Sequence, residues 1–190
     1  MKTLLAKTLI FLLAGTLSTQ VWGQQPYQIS TEGLKLEVHG TSTLHDWEMV
    51  SDVATGTAQF AVQGTAFTLS RLLVEMPSES IKSGTSSMDD NAYEALKTEK
   101  FPKIRLVIKE AEGTLNQEGK LVGTLTIAGV SKDITFTTTV TQVGSDIRTT
   151  GKAAFKLTDF AIDPPTAVFG TIKTGNEVTL HIEALFKEKK

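Results

Sequence analysis

The sequence predicts an all-β domain, an antiparallel sandwich or barrel of about eight strands with one short helix. Three observations carry this. Apolar and polar residues alternate with period two in segment after segment, as half-buried strands require. Gly-, Asn- and Asp-containing turn signals separate those segments at short intervals. One segment alone switches to helical spacing.

The first strand material lies at 27–30 and 34–39, split by Thr31-Glu32-Gly33. Leu34, Leu36 and Val38 point one way; Lys35, Glu37 and His39 point the other. The alternation breaks at Gly40. Thr41, Ser42, Thr43, Leu44, His45, Asp46 and Trp47 follow, too polar for a core strand and suited to a corner where the sheet turns. The next strand, 55–62, places Gly56, Ala58, Phe60 and Val62 on one face. In 67–76, Leu72, Val74 and Met76 alternate against Leu73 and Glu75, and Pro77 ends the run.

Helical spacing then appears. Ser87-Met88-Asp89-Asp90 reads as a helix start, with Ser87 and Asp90 spaced as a capping box. Ala92, Tyr93, Ala95 and Leu96 follow on a helical repeat, Lys97 and Lys100 suit a C-terminal end, and Phe101-Pro102 closes it. The expected helix is 89–98.

Strands resume at 103–110 (Ile104, Leu106 and Ile108 on one face) and 120–127 (Leu121, Gly123, Leu125 and Ile127), joined by a loop at 116–119. A turn at 128–133 leads into 134–141, with Ile134, Phe136, Thr138 and Val140 together. Val143-Gly144-Ser145-Asp146 turns into 147–157, and 158–171 is irregular. The last strand, 177–186, sets Val178, Leu180, Ile182 and Ala184 against Thr179, His181 and Glu183.

Residues 1–23 have a basic start (Lys2, Lys7), a brief apolar run and Val21-Trp22-Gly23 before the expected cut. This describes a cleaved secretory signal peptide, leaving 24–190 as one exported domain, periplasmic or secreted. The apolar run falls short of the ~20 residues that span a bilayer. With no cysteine in the chain, disulfides, thiol catalysis, thiolate metal sites and a lipid-modified N-terminus are excluded. The formal charge of −2 gives nucleic acid or an anionic membrane no electrostatic footing.

No catalytic or metal-binding signature emerges. His39, His45 and His181 lack metal-ligand spacing, and His39 and His181 read as surface residues on polar strand faces. Ser42, His45 and Asp46 sit close in a hydroxyl-rich corner, without the elbow motif of a serine hydrolase. Asp89-Asp90 is explained by a helix N-terminus. The expectation is no catalytic residue, no metal and no obligate cofactor.

An eight-stranded barrel is just wide enough either to fill itself or to hold one small ligand. Small residues beside bulky ones (Gly56 and Ala58 by Phe60, Gly123 by Leu125, Gly151 and Ala153 by Phe155, Ala184 by Ile182) allow a channel, but equally fit the taper of a filled barrel.

Four stretches extend the reading: LKLEVHGTSTLHDW, SIKSGTSSMDDNAYEALKTEKFPKIRLVI, GKLVGTLTIAGVSKDITFTTTV and AAFKLTDFAI. Together they resemble the YceI-like family of exported bacterial proteins, lipocalin-like in shape. The resemblance implies an eight-stranded antiparallel barrel with a helix packed beside it. It also implies an apolar pore for a polyisoprenoid chain, an isoprenoid quinone or a polyprenyl phosphate. The expected pore wall is Leu36, Val38, Phe60, Leu72, Val74, Ile104, Leu106, Leu125, Ile127, Phe136, Phe155 and Leu180, with Trp47 closing one end or packing at the mouth. Two basic positions of the family are altered here: Met88-Asp89-Asp90 stands where an Arg-Asp pair is usual, and Lys156-Leu157-Thr158-Asp159-Phe160-Ala161 lacks the arginine before an aromatic-Gly motif. A neutral head group or a different lipid, rather than a phosphate, is the expectation that follows. The rival expectation is a filled barrel without a lipid, serving envelope stress or a membrane redox partner. An exposed edge strand would allow a homodimer.

Overall fold

The computed structural model describes residues 23–189. The expected signal peptide, 1–23, lies outside them except for Gly23.

Eleven strands and one helix follow in order: β1 (Gln25–Ser42), β2 (Trp47–Ser51), β3 (Thr55–Gln63), β4 (Ala66–Pro77), α1 (Ser86–Leu96), β5 (Lys103–Ile108), β6 (Ala111–Thr114), β7 (Glu118–Ile127), β8 (Val130–Val143), β9 (Asp146–Lys156), β10 (Thr166–Ala167) and β11 (Ile172–Glu188). Eight of them, β1, β3, β4, β5, β7, β8, β9 and β11, form an antiparallel ring that closes where β11 pairs with β1. The other three extend its rims: β2 continues the β3 side of β1, β6 continues β5 along β4, and β10 flanks the start of β11. Closure removes most free strand edge. β2's outer side is itself bridged, Val50 exchanging hydrogen bonds with Lys82. Among the described residues, the short strands β6 and β10 each pair on one side only, and such edges are where the expected self-pairing would find room.

The structure departs from the sequence expectation in several local places. The segments expected at 27–30 and 34–39 are one strand, β1; Gly33, in the left-handed region (φ +69°), accompanies a register shift between Ser30 and Lys35 rather than a break. The turn expected at 128–133 is only Ala128-Gly129, both at positive φ, so β8 begins at Val130. Strand β6 lies between the expected strand 103–110 and the expected 116–119 loop, and Glu118-Gly119 already belong to β7. In β4, Gln59 faces Arg71 while Phe60 faces Leu69, leaving Ser70 as an extra residue. This bulge lets Leu69 and Leu72 both face inward although they are three apart.

The helix begins and ends earlier than 89–98. Thr85 is its N-cap and makes no side-chain cap bond, so the Ser87–Asp90 capping box does not form. The helix ends at Lys97, whose left-handed conformation (φ 55°) turns its N–H onto the Tyr93 and Glu94 carbonyls, well before Phe101-Pro102. Tyr93 pins α1 to the barrel: its hydroxyl lies 2.9 Å from the Glu79 carbonyl and 3.1 Å from that of Ile81, and accepts a hydrogen bond from Lys82.

Two apolar clusters line the barrel interior. Phe60, Phe67, Phe186, Tyr27 and Ile147 centre one end; Phe136, Phe155, Phe160, Leu125 and Ile127 centre the end near α1. Burying one such Phe side chain stabilises the fold by about 1.5–3 kcal/mol.

Candidate functional site

The inward residues of the ring enclose an apolar channel. Its far end is closed by aromatic rings: the Phe60 centroid is 5.6 Å from that of Tyr27, 6.1 Å from Phe186 and 6.4 Å from Phe67, all edge-to-face. Beyond this plug the channel has a volume of about 130 Å³. Leu36, Val38, Phe60, Leu72, Val74, Ile104, Leu106, Leu125, Ile127, Phe136, Phe155 and Leu180 all stand on its wall. The structure adds Leu69 from the far side of the β4 bulge and Met76, Ile81 and Ile182. Thr138, Thr149 and Thr150 are the polar residues on the wall.

Glycines expected to widen the channel behave differently from one another. A Cβ on Gly123 would fall 2.8 Å from Leu106 Cδ1 and 3.0 Å from Ile108 Cγ1, so its neighbours already fill that space. At Gly56 it would fall 2.8 Å from the Leu73 carbonyl oxygen. At Gly151 the nearest atoms are Thr138 Oγ1 at 3.6 Å and Ile182 Cβ at 3.9 Å, which is ordinary contact. The taper of a filled barrel therefore holds at Gly56 and Gly123, while Gly151 leaves room.

Val38, Ile81, Ile104, Ile127 and Phe155 also border a second space of about 430 Å³, a vestibule between the barrel end, α1 and the 162–168 segment. Its size falls in the range of small-molecule pockets, ~300–1,000 Å³. The α1 face toward it carries Met88, Asn91, Ala92 and Ala95, one helical stripe. Trp47 lines this vestibule and not the inner channel. Among the described residues no Lys, Arg, Asp or Glu borders it; its polar residues are Ser42, His45, Thr85, Ser87, Asn91, Thr166 and Thr174. The rim is apolar and exposed at Leu44, Val168 and Phe169.

The 41–47 corner builds one wall from backbone-satisfying contacts. Ser42 Oγ donates to the His45 carbonyl (2.7 Å) and accepts from the N–H groups of Leu44 and His45 (3.2 and 3.1 Å). Its hydroxyl is thus occupied by the turn and not poised by a base. His45 Nδ1 lies 2.6 Å from the Asp46 backbone carbonyl, not its carboxylate. Since a carbonyl only accepts, Nδ1 is the donor in this contact. The Ser42–His45–Asp46 group is a corner, with none of the linkage a triad requires.

Asp89 is buried in the first turn of α1 and reaches back to Ser83, accepting from its N–H and its hydroxyl, both at 2.7 Å. Burial pushes this carboxyl up, but the two Ser83 hydrogen bonds and the nearby Lys82 charge outweigh it and hold the group below the ordinary Asp value. The carboxylate fixes the 81–85 segment that α1 springs from. The sequence alone offers it only as a residue of a helix N-terminus, because the Ser83 contact lies outside the helix.

Comparison with known proteins adds the following. The family model described as YceI-like domain matches residues 27–186. No curated protein sequence matches the chain. Among solved structures, Burkholderia cenocepacia BcnA is similar at 16% identity and a TM-score of 0.60, over 83% of this chain and 98% of that one. A polyisoprenoid binding domain from Saccharophagus degradans, implicated in plant cell wall breakdown, is similar at 11% identity and a TM-score of 0.62, over 88% and 100%. The Campylobacter jejuni YCEI protein is similar at 23% identity and a TM-score of 0.55, over 71% and 81%.

Proposed function

Since the chain belongs to the YceI-like domain family, we propose that it binds a long-chain lipid of isoprenoid type and carries or sequesters it after export. The observation that carries this reading is the apolar channel adjoining an apolar vestibule across a shared ring of residues. Burial supplies the affinity, each CH₂-sized group removed from water contributing ~0.8 kcal/mol. A structural relative is a polyisoprenoid binding domain, which supports the same ligand class.

The head group in this reading is neutral, an isoprenoid quinone rather than a polyprenyl phosphate. With no charged side chain on the vestibule wall among the described residues, a phosphate would be desolvated without a partner. Asn91, Ser87 and His45 offer hydrogen bonds of the kind a quinone or quinol oxygen uses. The tail would run into the channel, and the exposed rim at Leu44, Val168 and Phe169 would meet the membrane that donates the lipid. Release of residues 1–23 as a signal peptide belongs to this proposal; N-terminal sequencing of protein from the cell envelope tests it.

The narrowness of the inner channel favours one rival, a filled barrel that acts without a lipid. One experiment separates the two. Organic extraction of protein purified from its host, followed by mass spectrometry, should recover an isoprenoid lipid, and the emptied protein should take up a long-chain quinone. Recovery of no lipid together with no uptake would sink the proposal and leave the filled barrel.

A further inference from the structure

The outer face of the barrel holds a cluster whose members are far apart in sequence. Because Leu36 and Val38 point into the channel, Glu37 and His39 on β1 point outward. His39 pairs across to Glu48 on β2, and Glu37 pairs across to His181 on β11. Three neighbouring strands thus bring two imidazoles and two carboxylates to one patch. His39 Nδ1 is 3.8 Å from Glu48 Oε2, and the ligand atoms of Glu37, His39 and Glu48 all lie within 4.8 Å of one another. The His181 ring stands 4.9 Å from that of His39, centroid to centroid. Among the described residues this is the one place where three such ligand groups converge.

We propose that Glu37, His39, Glu48 and His181 form a surface site for one divalent transition-metal ion of the zinc class. Ligand atoms held ~2.1 Å from a tetrahedral ion stand about 3.4 Å from each other. The His39–Glu48 separation, 3.8 Å, is already close to that; Glu37 lies within 4.8 Å of both, and His181, placed by its ring contact with His39, would complete the set by turning its side chain toward the ion. Two imidazoles favour zinc, nickel or copper over calcium or magnesium, which take oxygen ligands. Two carboxylates supply the charge that a dication needs. The competing cation is Lys35, whose Nζ lies 2.5 Å from Glu37 Oε1. Lys35 is exposed and Glu37 half-buried, and an arriving dication competes with the Lys35 ammonium for the same carboxylate. The second nearby cation, Lys152, faces His181 from β9. The site is separate from the lipid channel, with the β1 backbone between them.

The test uses tag-free, chelator-treated protein titrated with zinc chloride by calorimetry. The parent should bind one ion saturably. His39→Ala and His181→Ala should each weaken binding by about tenfold or more. Lys35→Ala should tighten it. All four side chains are on the outer surface, so the metal-free variants should keep the parent melting temperature. Should an alanine variant not fold, the parent alone decides: cobalt(II) should give the visible absorption of a tetrahedral site with histidine nitrogen ligands. No saturable zinc binding, a flat cobalt spectrum, or a His39→Ala/His181→Ala double variant that binds like the parent would overturn the assignment.

Discussion

The indole of Trp47 occupies the space that a side chain on Gly40 would need. The two residues are cross-strand partners on β1 and β2, and Trp47 Nε1 donates to the Thr41 carbonyl at 2.9 Å. Gly40 is thus the close-approach site that lets the aromatic ring cover the strand, an arrangement that pins register. Gly40→Ala should force the ring off the strand and destabilise the protein by about 1–3 kcal/mol. Trp22 lies within the expected signal peptide, so in protein beginning at Gln24 tryptophan fluorescence reports Trp47 alone. The expected outcome is a red-shifted emission and a lower denaturation midpoint, with weaker ligand retention at the vestibule.

Gly151 is where the channel has room, so it is where the channel can be blocked. Gly151→Leu places a bulky apolar group beside Thr138 and Ile182 without an immediate backbone clash. Quinone uptake by the emptied protein should fall sharply while the melting temperature changes little. Gly56→Leu is the contrast: its first added carbon already meets the Leu73 carbonyl, so stability should fall along with uptake.

Asp89 makes stability depend on acid. Its folded value lies below the unfolded one of ~3.9, so it contributes stability that is fully present above about pH 4 and is lost as pH falls through the lower folded value. Asp89→Asn keeps the shape and removes the charge. It should cost about 1–3 kcal/mol near neutral pH. Urea unfolding of both proteins across pH should show that difference shrinking below pH 4; a constant gap would contradict the linkage.

Ala161, directly after the fully buried Phe160, sits in the left-handed region at φ 54°. Its N–H bonds the Thr158 carbonyl, so the conformation is held by the turn. A Cβ in that region costs roughly 1–2 kcal/mol, which glycine avoids. Ala161→Gly should therefore raise stability by about 1 kcal/mol in thermal or chemical unfolding.

The strands were legible because each buries one face, and period two survives even where the partner strand is unknown. The channel wall followed from the same alternation: Leu36, Ile104, Leu125 and Leu180 face inward as their parity requires. The helix was legible in type but not in extent, because its start depends on Asp89 reaching Ser83 and its end on a left-handed Lys97, neither of which a helical repeat encodes. The bulge at Ser70 left no mark either. It appears only when β4 is laid against β3, and it adds Leu69 to the wall.

The sequence by itself determined an all-β chain, the inward faces of its long strands and, through four motif stretches, the family. Local alternation and turn chemistry suffice for that. Closure of β11 on β1, the Trp47–Gly40 contact and the meeting of His39 with His181 were decided only in three dimensions. They join residues from opposite ends of the chain or across a corner. No periodicity within a strand carries information about which strand will lie beside it.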